Sequence, residues 1–452
     1  MYRSILAKAA ASGTIARKNG GGMRLYFVGI GGGGMYPLAR LAAVLGYRVS
    51  GTDARESENT RRLEREGIFV RIGTSALPQS VDALVHTLAV ARSHPLLLEA
   101  EKRGIPIFTR TELLALLERR FPTRVAVAGS HGKSSTVGMC AAILREAGIA
   151  HTVLCGAELT REDGGFLGGG GGVLLYEACE YKDAFLDLSP THAAVLNAEW
   201  EHADFFPSED AALSSFRRFL GKNTLRFRAC YASLDFPSDL SYGDGARLHA
   251  EALREKNGCF SFSLLMGEER LCDVSLGVIG AFQVQNALAA AALALSVGAG
   301  KEAVMRGLAA FRGVACRMEY KGRVGASALY LDYAHHPTEL AAALTAARGL
   351  GEEVVCVFEP HTYSRVFAFE DRFLRLFSSA VFGILPIYAA REENIYGVSS
   401  ARLAEKSGAT FLKDYASAAA FLEEKSGEGR VLLLVGAGTV GETLRYLTNL
   451  TE

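Results

Sequence analysis

The stretch that most constrains how this chain folds is VAVAGSHGKSST, residues 125–136. Its apolar run Val125–Ala128 predicts a buried parallel strand, and a helix is expected to begin at Lys133 after a short glycine turn. A strand, a glycine turn and a helix N-terminus form an anion site, because free backbone N–H groups and the positive end of the helix dipole converge there. The stretch therefore predicts a nucleotide phosphate loop, shortened because Val127 stands where G-x-x-x-x-G-K-[ST] has its first glycine.

The side chains of this loop fit ATP and a metal ion. Lys133 provides an ammonium group for the β- and γ-phosphates, and the Ser134 hydroxyl is placed to ligate Mg²⁺. The residues expected to bind ATP here are Gly129, Ser130, His131, Gly132, Lys133, Ser134 and Ser135. The alternative is an ordinary turn between a strand and a helix that happens to contain Lys and Ser.

A second glycine-rich turn, GIGGGGM, lies at residues 29–35. It follows an apolar strand expected over 25–30, satisfies G-x-G-x-x-G and precedes a helix expected over 37–45. The next strand ends at Asp53, about 20 residues further on, where a dinucleotide-binding fold places an acid on a ribose. Glycine-rich turns of this kind also bind other diphosphates, so a nicotinamide-dependent oxidoreductase is only one interpretation.

Strands alternate with helices along most of the chain, which predicts parallel sheets with helices on both faces. The length of 452 residues suits about three domains. We expect an α/β protein with a Rossmann-like N-terminal domain over 24–121, a central P-loop ATPase domain with a mostly parallel sheet over 122–313, and a C-terminal doubly wound α/β domain over 314–452. Within the central domain, residues 225–275 are expected to be irregular and antiparallel.

Charge and cysteine content argue against several classes of function. The formal net charge is zero, so no global field attracts nucleic acid or an anionic membrane. No apolar run approaches the length of about 20 residues that spans a bilayer. Eight cysteines without a C-x-x-C pair predict reduced thiols and a cytoplasmic location. The first 22 residues do not resemble a secretory signal, and Met23 is a candidate natural start after a disordered extension.

Two acidic clusters follow predicted strands of the central domain, at residues 177–180 (EACE) and 197–204 (NAEWEHAD). Ligands gather at the carboxyl edge of open α/β sheets, where carboxylates and an imidazole can hold Mg²⁺ against phosphates. Glu177 directly follows an apolar strand, whereas for most acids the alternative is a solvated loop charge. His335 and His336 follow a strand of the third domain without a nearby carboxylate or Cys at ligand spacing, which favours substrate contact or a turn over metal.

Taken together, these motifs resemble those of the Mur ligases, from about residue 24 to 445. The segments that carry the resemblance are FVGIGGGGM (27–35), SGTD (50–53), GSHGKSST (129–136), EACE (177–180), NAEWEHADFF (197–206), GVACR (313–317), DYAHHPTE (332–339), EPHTYSR (359–365) and YAAREENIYGVSS (388–400). The glycine loops alone are unspecific, but DYAHHPTE, PHTYSR and YAAREE in this order are highly specific.

The resemblance implies a three-domain enzyme of peptidoglycan precursor synthesis that uses ATP and Mg²⁺. In the implied reaction, ATP phosphorylates the carboxylate of UDP-N-acetylmuramate, the amine of L-alanine attacks the acyl phosphate, and ADP and phosphate leave. Such a reaction requires Lys, Arg and metal to neutralise oxyanions rather than a protein nucleophile. UDP-N-acetylmuramate and L-alanine are therefore the expected partners, and the oligomeric state is left open.

The resemblance also implies roles for individual residues. The UDP-linked substrate would be held by Gly31, Gly32, Gly34, Met35 and Asp53, and ATP additionally by Asn286, Arg317 and Asp332. The metal ligands would be Ser134, Glu177 and His202. His336 and Arg365 would face the reacting carboxylate and the incoming amino acid. The expected catalytic residues are accordingly Lys133, His202, His336 and Arg365.

Several positions depart from the family pattern: Cys179 replaces Asp, Phe282-Gln283 replaces His-Asn, Cys316 replaces Arg and Thr74 replaces His. None of these changes removes a phosphate-binding group, so an active enzyme is expected. Two alternatives remain within the resemblance: a ligase that reattaches a recycled tripeptide to UDP-N-acetylmuramate, and a non-catalytic nucleotide-binding paralogue.

Overall fold

The computed structural model describes residues 22–73, 76–88, 90–160, 164–168, 171–202, 205–390 and 392–451. The expectations about the extension before Met23 and about Thr74 fall on residues 1–21 and 74, outside the described residues. None of the helices within these ranges combines the length and apolar content needed to cross a bilayer.

The N-terminal sheet has five parallel strands in the order β3-β2-β1-β4-β5. Its strands are β1 (Arg24–Val28), β2 (Arg48–Asp53), β3 (Phe69–Ile72), β4 (Ala83–His86) and β5 (Ile107–Thr109), and its helices are α1 (Met35–Val44), α2 (Glu58–Arg65), α3 (Pro95–Lys102) and α4 (Arg110–Leu117). The strand order reverses beside β1, so the glycine turn lies at the switch point where such folds bind ligands. The Rossmann-like expectation is confirmed. β1 ends before the predicted Ile30 because Gly29, at a φ of +78°, begins the turn.

The central sheet has ten strands in the order β15-β14-β13-β12-β11-β10-β6-β9-β7-β8. Its strands are β6 (Thr123–Ala128), β7 (His151–Leu154), β8 (Phe166–Gly168), β9 (Val173–Ala178), β10 (His192–Val195), β11 (Phe227–Tyr231), β12 (Leu240–Tyr242), β13 (Leu248–Lys256), β14 (Cys259–Met266) and β15 (Glu269–Ile279). The accompanying helices are α5 (Lys133–Glu146), α6 (Glu209–Leu220), α7 (Phe282–Ser296) and α8 (Lys301–Ala310). The pairings from β13 to β7 are parallel, and antiparallel pairs occur at the two ends, which confirms a mostly parallel sheet.

The expectation for residues 225–275 is partly wrong. β11 and β12 continue the parallel sheet instead of forming an irregular region. These strands have five and three residues, too few for an alternating pattern to show in the sequence. The antiparallel part of the expectation is confirmed for β13, β14 and β15.

The C-terminal sheet has seven strands in the order β20-β19-β18-β21-β17-β16-β22. Its strands are β16 (Glu319–Val324), β17 (Ser327–Asp332), β18 (Glu353–Glu359), β19 (Val381–Ile384), β20 (Thr410–Phe411), β21 (Arg430–Gly436) and β22 (Leu450–Thr451), and its helices are α9 (Pro337–Arg348), α10 (Tyr363–Phe377), α11 (Ser400–Ser407) and α12 (Tyr415–Lys425). Strands β20 to β17 are parallel, with β16 and β22 added in antiparallel fashion. The doubly wound expectation is confirmed.

The helix after the phosphate loop is fixed by the central core. Helix α7 is rich in Ala and Leu and is buried along almost its whole length, against α5 and the sheet. Helix α8 approaches α5 at Gly307, where a Cβ atom would collide with the backbone of Ile143. This close packing, at the C-terminal end of α5, fixes the helix that follows the loop in the central core.

Candidate active site

The phosphate loop joins β6 to α5, as predicted, and α5 begins at Lys133. Gly129 and Gly132 have φ angles of +145° and +82°, a backbone region that favours glycine. A Cβ atom at Gly132 would also collide with Oδ1 of Asn286, at the start of α7. Both glycines are therefore required by the geometry of the turn.

The segment after β10 braces the phosphate loop. β6 lies between β9 and β10, so the loops that follow these three strands meet at one edge of the sheet. The backbone N–H of His131 donates to Oδ1 of Asn197 at 2.9 Å, and the Asn197 amide donates back to the His131 carbonyl at 3.1 Å. The Ser130 hydroxyl accepts from the backbone N–H of Glu199 at 3.0 Å. These bonds fix the loop conformation.

Lys133 is held inside the loop as a cation. Its Nζ donates to the carbonyl oxygens of Gly129 and Ser130 and lies 3.1 Å from Oε2 of Glu180. Burial opposes the charge, but the Glu180 carboxylate raises the pKa of Lys133 above its ordinary value. Burial also opposes the charge of Glu180 and by itself would raise the pKa of this acid. The positive charges of Lys133 and His202 instead hold the pKa of Glu180 at about 2. A phosphate at the loop would compete with Glu180 for the ammonium group.

Of the three expected metal ligands, the structure brings two into direct contact. The Ser134 hydroxyl donates to Oε1 of Glu177 at 2.9 Å, and the same oxygen accepts from the backbone N–H of Gly156 at 2.7 Å. His202 instead lies beside Glu180, with 3.4 Å between Nε2 and Oε1. A hydroxyl and a carboxylate on a phosphate loop are the hard oxygen ligands that Mg²⁺ prefers, so this donor pair fits that ion.

A cavity of about 380 Å³ lies between the central and C-terminal sheets. Residues expected to bind ATP come together in its wall: Ser134, Ser135, Asn286, Arg317 and Asp332. Asn286 donates to Oε1 of Gln283 at 3.0 Å. Phe282, which departs from the family pattern, lines the same cavity, as does Gln285, whose buried Oε1 has no hydrogen-bond partner in the described part of the chain.

The C-terminal wall of this cavity carries a buried acid, Asp332, and a half-buried cation, Arg317. Asp332, at the end of β17, accepts from the backbone N–H groups of Met318 and Ala334, each at 2.8 Å. Burial raises the pKa of Asp332 to about 6 in spite of the nearby Arg317. Nη1 of Arg317 donates to Oε1 of Glu339 at 3.3 Å. The pair provides a hydrogen-bond acceptor and a fixed cation beside the phosphate loop.

A larger groove of about 1120 Å³ is lined by residues of all three parts of the chain. Gly32 and Asp53 come from the N-terminal sheet, His202 from the central one and Arg365 from the C-terminal one. Oδ2 of Asp53 accepts from the backbone N–H of Gly31 at 2.8 Å, so this acid shapes the glycine turn as well as facing the groove.

The remaining residues expected to bind the UDP-linked substrate are more enclosed. Met35, at the first position of α1, is 1% exposed and its side chain belongs to the core. Gly34 lies against Arg110, and a Cβ atom at this position would be only 3.1 Å from Cδ of Arg110. Their contribution to binding is therefore limited to the backbone of the turn.

His336 occupies a different position from the one expected. It caps the N-terminus of α9 with no exposed surface, and its ring packs edge-on against Phe369 at 4.7 Å between ring centres. It lines neither the cavity nor the groove, whereas Arg365 faces the groove and donates to the His361 carbonyl at 3.2 Å. The sequence placed these two residues together, but the fold puts His336 behind the site.

Sequence reasoning did not single out four buried or half-buried acids that organise the site. They are Glu180, Glu199, Glu201 and Glu339. Burial would lower the pKa of His131, but Glu199 and Glu339 raise it to about 10. Glu180, Glu199 and Glu201 lie in the two acidic clusters after β9 and β10. Their position at the ends of predicted strands was the sequence signal that could have identified them.

Comparison with known proteins gives a family for all three parts of the chain. The profile "Mur ligase family, catalytic domain" matches residues 24–122, "Mur ligase middle domain" matches 127–294, and "Mur ligase, glutamate ligase domain" matches 316–438. The UDP-N-acetylmuramate–L-alanine ligase of Agathobacter rectalis is 36% identical, with 93% of this chain and 96% of that protein covered. The ligase of the same name from Aquifex aeolicus is 35% identical, with 93% and 96% covered.

Solved structures agree with these matches. The crystal structure of UDP-N-acetylmuramate-alanine ligase from Thermotoga maritima has a TM-score of 0.82 and 25% identity, covering 94% of this chain and 98% of that one. A murein peptide ligase from Psychrobacter arcticus has a TM-score of 0.72 at 22% identity, covering 95% and 100%, and supports the fold. On the sequence matches and on the architecture, this chain belongs to the Mur ligase family.

Proposed function

We propose that this protein is an ATP-dependent ligase that joins L-alanine to the carboxylate of UDP-N-acetylmuramate through an acyl phosphate. The observation that carries the proposal is the groove shared by the three sheets. It brings the N-terminal glycine turn, His202 and Arg365 to one space, beside the cavity that holds the phosphate loop. The full-length likeness to ligases of this name supports the choice of substrates.

ATP is assigned to the smaller cavity. Its phosphates would lie on the loop Gly129–Ser135. There the ammonium group of Lys133 would give up its contact with Glu180 and bind the phosphates. Its ribose would lie near Asp332, and its adenine near Asn286. Burial of Lys133 in a water-poor site strengthens its interaction with the transferring phosphoryl group.

Mg²⁺ is assigned to Ser134 and Glu177, with His202 as the further ligand. When bound, the ion neutralises phosphate charge during phosphoryl transfer. His202 lies against Glu180, so its ring would have to turn from that carboxylate to reach the ion. Arg365 would bind an anionic group of the substrates in the groove, and His336 would act from behind the site by fixing the start of α9.

The UDP-linked substrate and L-alanine are assigned to the larger groove. The turn at residues 29–35 would hold the diphosphate. Most of the rate enhancement expected of such a site comes from positioning the muramate carboxylate against ATP. The domain boundaries 24–121, 122–313 and 314–452 are part of this proposal, because each unit contains one sheet and one part of the site.

The test is phosphate release by the purified chain with Mg-ATP and UDP-N-acetylmuramate across single amino acids and the recycled tripeptide. Turnover that requires L-alanine is the expected result. Turnover with the tripeptide alone would assign the recycling reaction instead. ATP binding without turnover with any amine would favour a non-catalytic paralogue, and binding of NAD(H) would support an oxidoreductase.

A further inference from the structure

At the phosphate loop, three side chains each keep a buried polar atom that has no hydrogen-bond partner among the residues that the structure describes. These atoms are Nε2 of His131, Nε2 of His336 and Oε1 of Glu201. One potential ligand atom from each side chain lies within 4.8 Å of the other two. The side chains are 13%, 0% and 6% exposed, respectively. Because a buried polar atom without a hydrogen bond is costly, three such side chains with ligand atoms this close together point to a ligand, with Nη2 of Arg365, 4.0 Å from Oε1 of Glu201, as the nearest competing charge.

The fold supplies these side chains from two domains. His131 and Glu201 follow β6 and β10, which are adjacent parallel strands, so they emerge at the same edge of the central sheet. His336 comes from the N-terminal cap of α9 in the C-terminal domain. The sequence alone favoured substrate contact or a turn over metal for this histidine, because no carboxylate or Cys stands at ligand spacing and Glu201 is more than a hundred residues away along the chain.

The His131 imidazole is oriented as metal ligands commonly are, with Nδ1 3.2 Å from Oε1 of Glu339. Nδ1 of His336 accepts from the backbone N–H of Thr338 at 3.4 Å and lies 3.6 Å from Oε2 of Glu199, so metal binding at Nε2 requires the ring hydrogen to move to Nδ1, on the side of that carboxylate. A carboxylate at the second ring nitrogen fixes the tautomer and directs the other nitrogen toward a metal. A proton on Nε2 of His131 competes with a metal ion for this nitrogen. The carboxylate of Glu199, whose Oε2 lies 3.6 Å away, stabilises that proton.

We propose that His131, Glu201 and His336 form a binding site for a divalent transition-metal ion of the Zn²⁺ type, separate from the Ser134–Glu177 pair. Two imidazoles and one carboxylate suit Zn²⁺ or Co²⁺, whereas Mg²⁺ takes oxygen ligands. Three protein ligands leave a fourth position for water. Because the ligands come from two domains, the ion ties the C-terminal domain to the phosphate loop.

The test is a titration of the full, metal-stripped chain with Co²⁺ alone, without nucleotide, followed by displacement with Zn²⁺. We expect one ion per chain and the visible absorption of four-coordinate Co²⁺. His131→Gln and His336→Gln, which alter different domains, should each abolish the absorption. Glu339→Gln should weaken binding by about 10–100-fold, as expected for loss of an outer-shell partner. His335→Gln, beside His336 but outside the ligand set, is the matched control and should leave the absorption unchanged.

A second group of potential ligands, Glu180, Glu201 and His202, shares one residue with this site. Absorption that survives His336→Gln but is lost in His202→Gln would move the ion to that group and overturn the proposal. Absence of Co²⁺ uptake by the unaltered chain would also overturn it. Circular dichroism of each stripped variant identifies those that fail to fold. Since no substrate is present, this result is independent of the ligase assay, and either proposal can fail without the other.

Discussion

The hydroxyl of Thr338 donates a 2.7 Å hydrogen bond to Oε2 of Glu199, which joins the C-terminal domain to the segment that braces the phosphate loop. Thr338 lies in the first turn of α9, directly after the His336 cap. The same carboxylate oxygen is 3.6 Å from Nε2 of His131. Together with the 3.2 Å contact between His131 and Glu339, this half-buried acid therefore helps to hold the two domains in the arrangement seen here.

Glu199→Gln should loosen this closed arrangement. Hydrogen bonds to a charged group contribute about 1.5–3 kcal/mol, so the variant should favour open domains by roughly tenfold or more. Small-angle scattering should show a larger radius of gyration, and the KM for ATP should rise. Glu251→Gln, on an exposed strand of the same domain, is the control. Identical scattering profiles for the two variants would contradict the prediction.

Lys133→Ala should lower kcat by more than about a hundredfold, because a buried charge that stabilises the transition state is removed. It should also destabilise the fold by about 3 kcal/mol, since the buried charge of Glu180 loses its Lys133 partner and keeps only His202. Phosphate release and thermal unfolding measure the two effects.

The double variant Lys133→Ala/Glu180→Gln separates these effects. It should regain most of the stability, because the buried charge is gone, but none of the activity. Recovery of turnover in the double variant would show that Lys133 acts through folding alone.

Gly132→Ala should impair ATP binding more than its backbone strain explains. Gly132 and Gly148 lie just beyond opposite ends of α5, with φ angles of +82° and +67°. A Cβ atom at Gly132 would collide with Asn286, whereas one at Gly148 has no neighbour within 4 Å. Both variants should lose about 1–2 kcal/mol of stability from strain. Only Gly132→Ala should also lose ATP affinity in calorimetry, and equal ATP affinities would rule out the steric effect.

Gln285→Leu should have opposite effects on stability and on ATP binding. The buried Oε1 of Gln285 has no hydrogen-bond partner among the described residues and lies in the cavity wall, where it would accept from the amino group of a bound adenine. Removing it should stabilise the ligand-free protein slightly and raise the KM for ATP by about tenfold. Gln79→Leu on an exposed loop is the control, and an unchanged KM would exclude the adenine contact.

The buried carboxyl group of Asp332 should make the stability of the folded protein depend on pH. Its pKa is about 6 in the folded protein, against an ordinary value of 3.8, so the folded state binds the proton more tightly than the unfolded state. Its contribution to stability therefore declines as pH rises through this window. As pH rises from about 4 to about 8, the free energy of unfolding of Asp332→Asn should increase by about 3 kcal/mol relative to that of the unaltered chain. Denaturant unfolding at both values measures the change. A difference in stability that stays constant between the two pH values would contradict the prediction.

Much of the fold could be predicted because its signals are local. The strand, turn and helix around Lys133, the strand that ends at Asp53 and the alternation of strands with helices all arise from neighbouring residues. The structure confirms each of them. β11 and β12 were missed because strands this short carry no periodic signal.

The candidate site depends more on contacts between distant segments. The sequence by itself determined the phosphate loop, the glycine turn and the acidic strand ends, since each follows from residue type and spacing within a dozen positions. Only the tertiary structure decided that His202 pairs with Glu180, that His336 lies buried behind the loop, and that Glu201 completes a cluster with two histidines. These relationships depend on which strands are adjacent and how the domains meet, and local sequence carries no information about either.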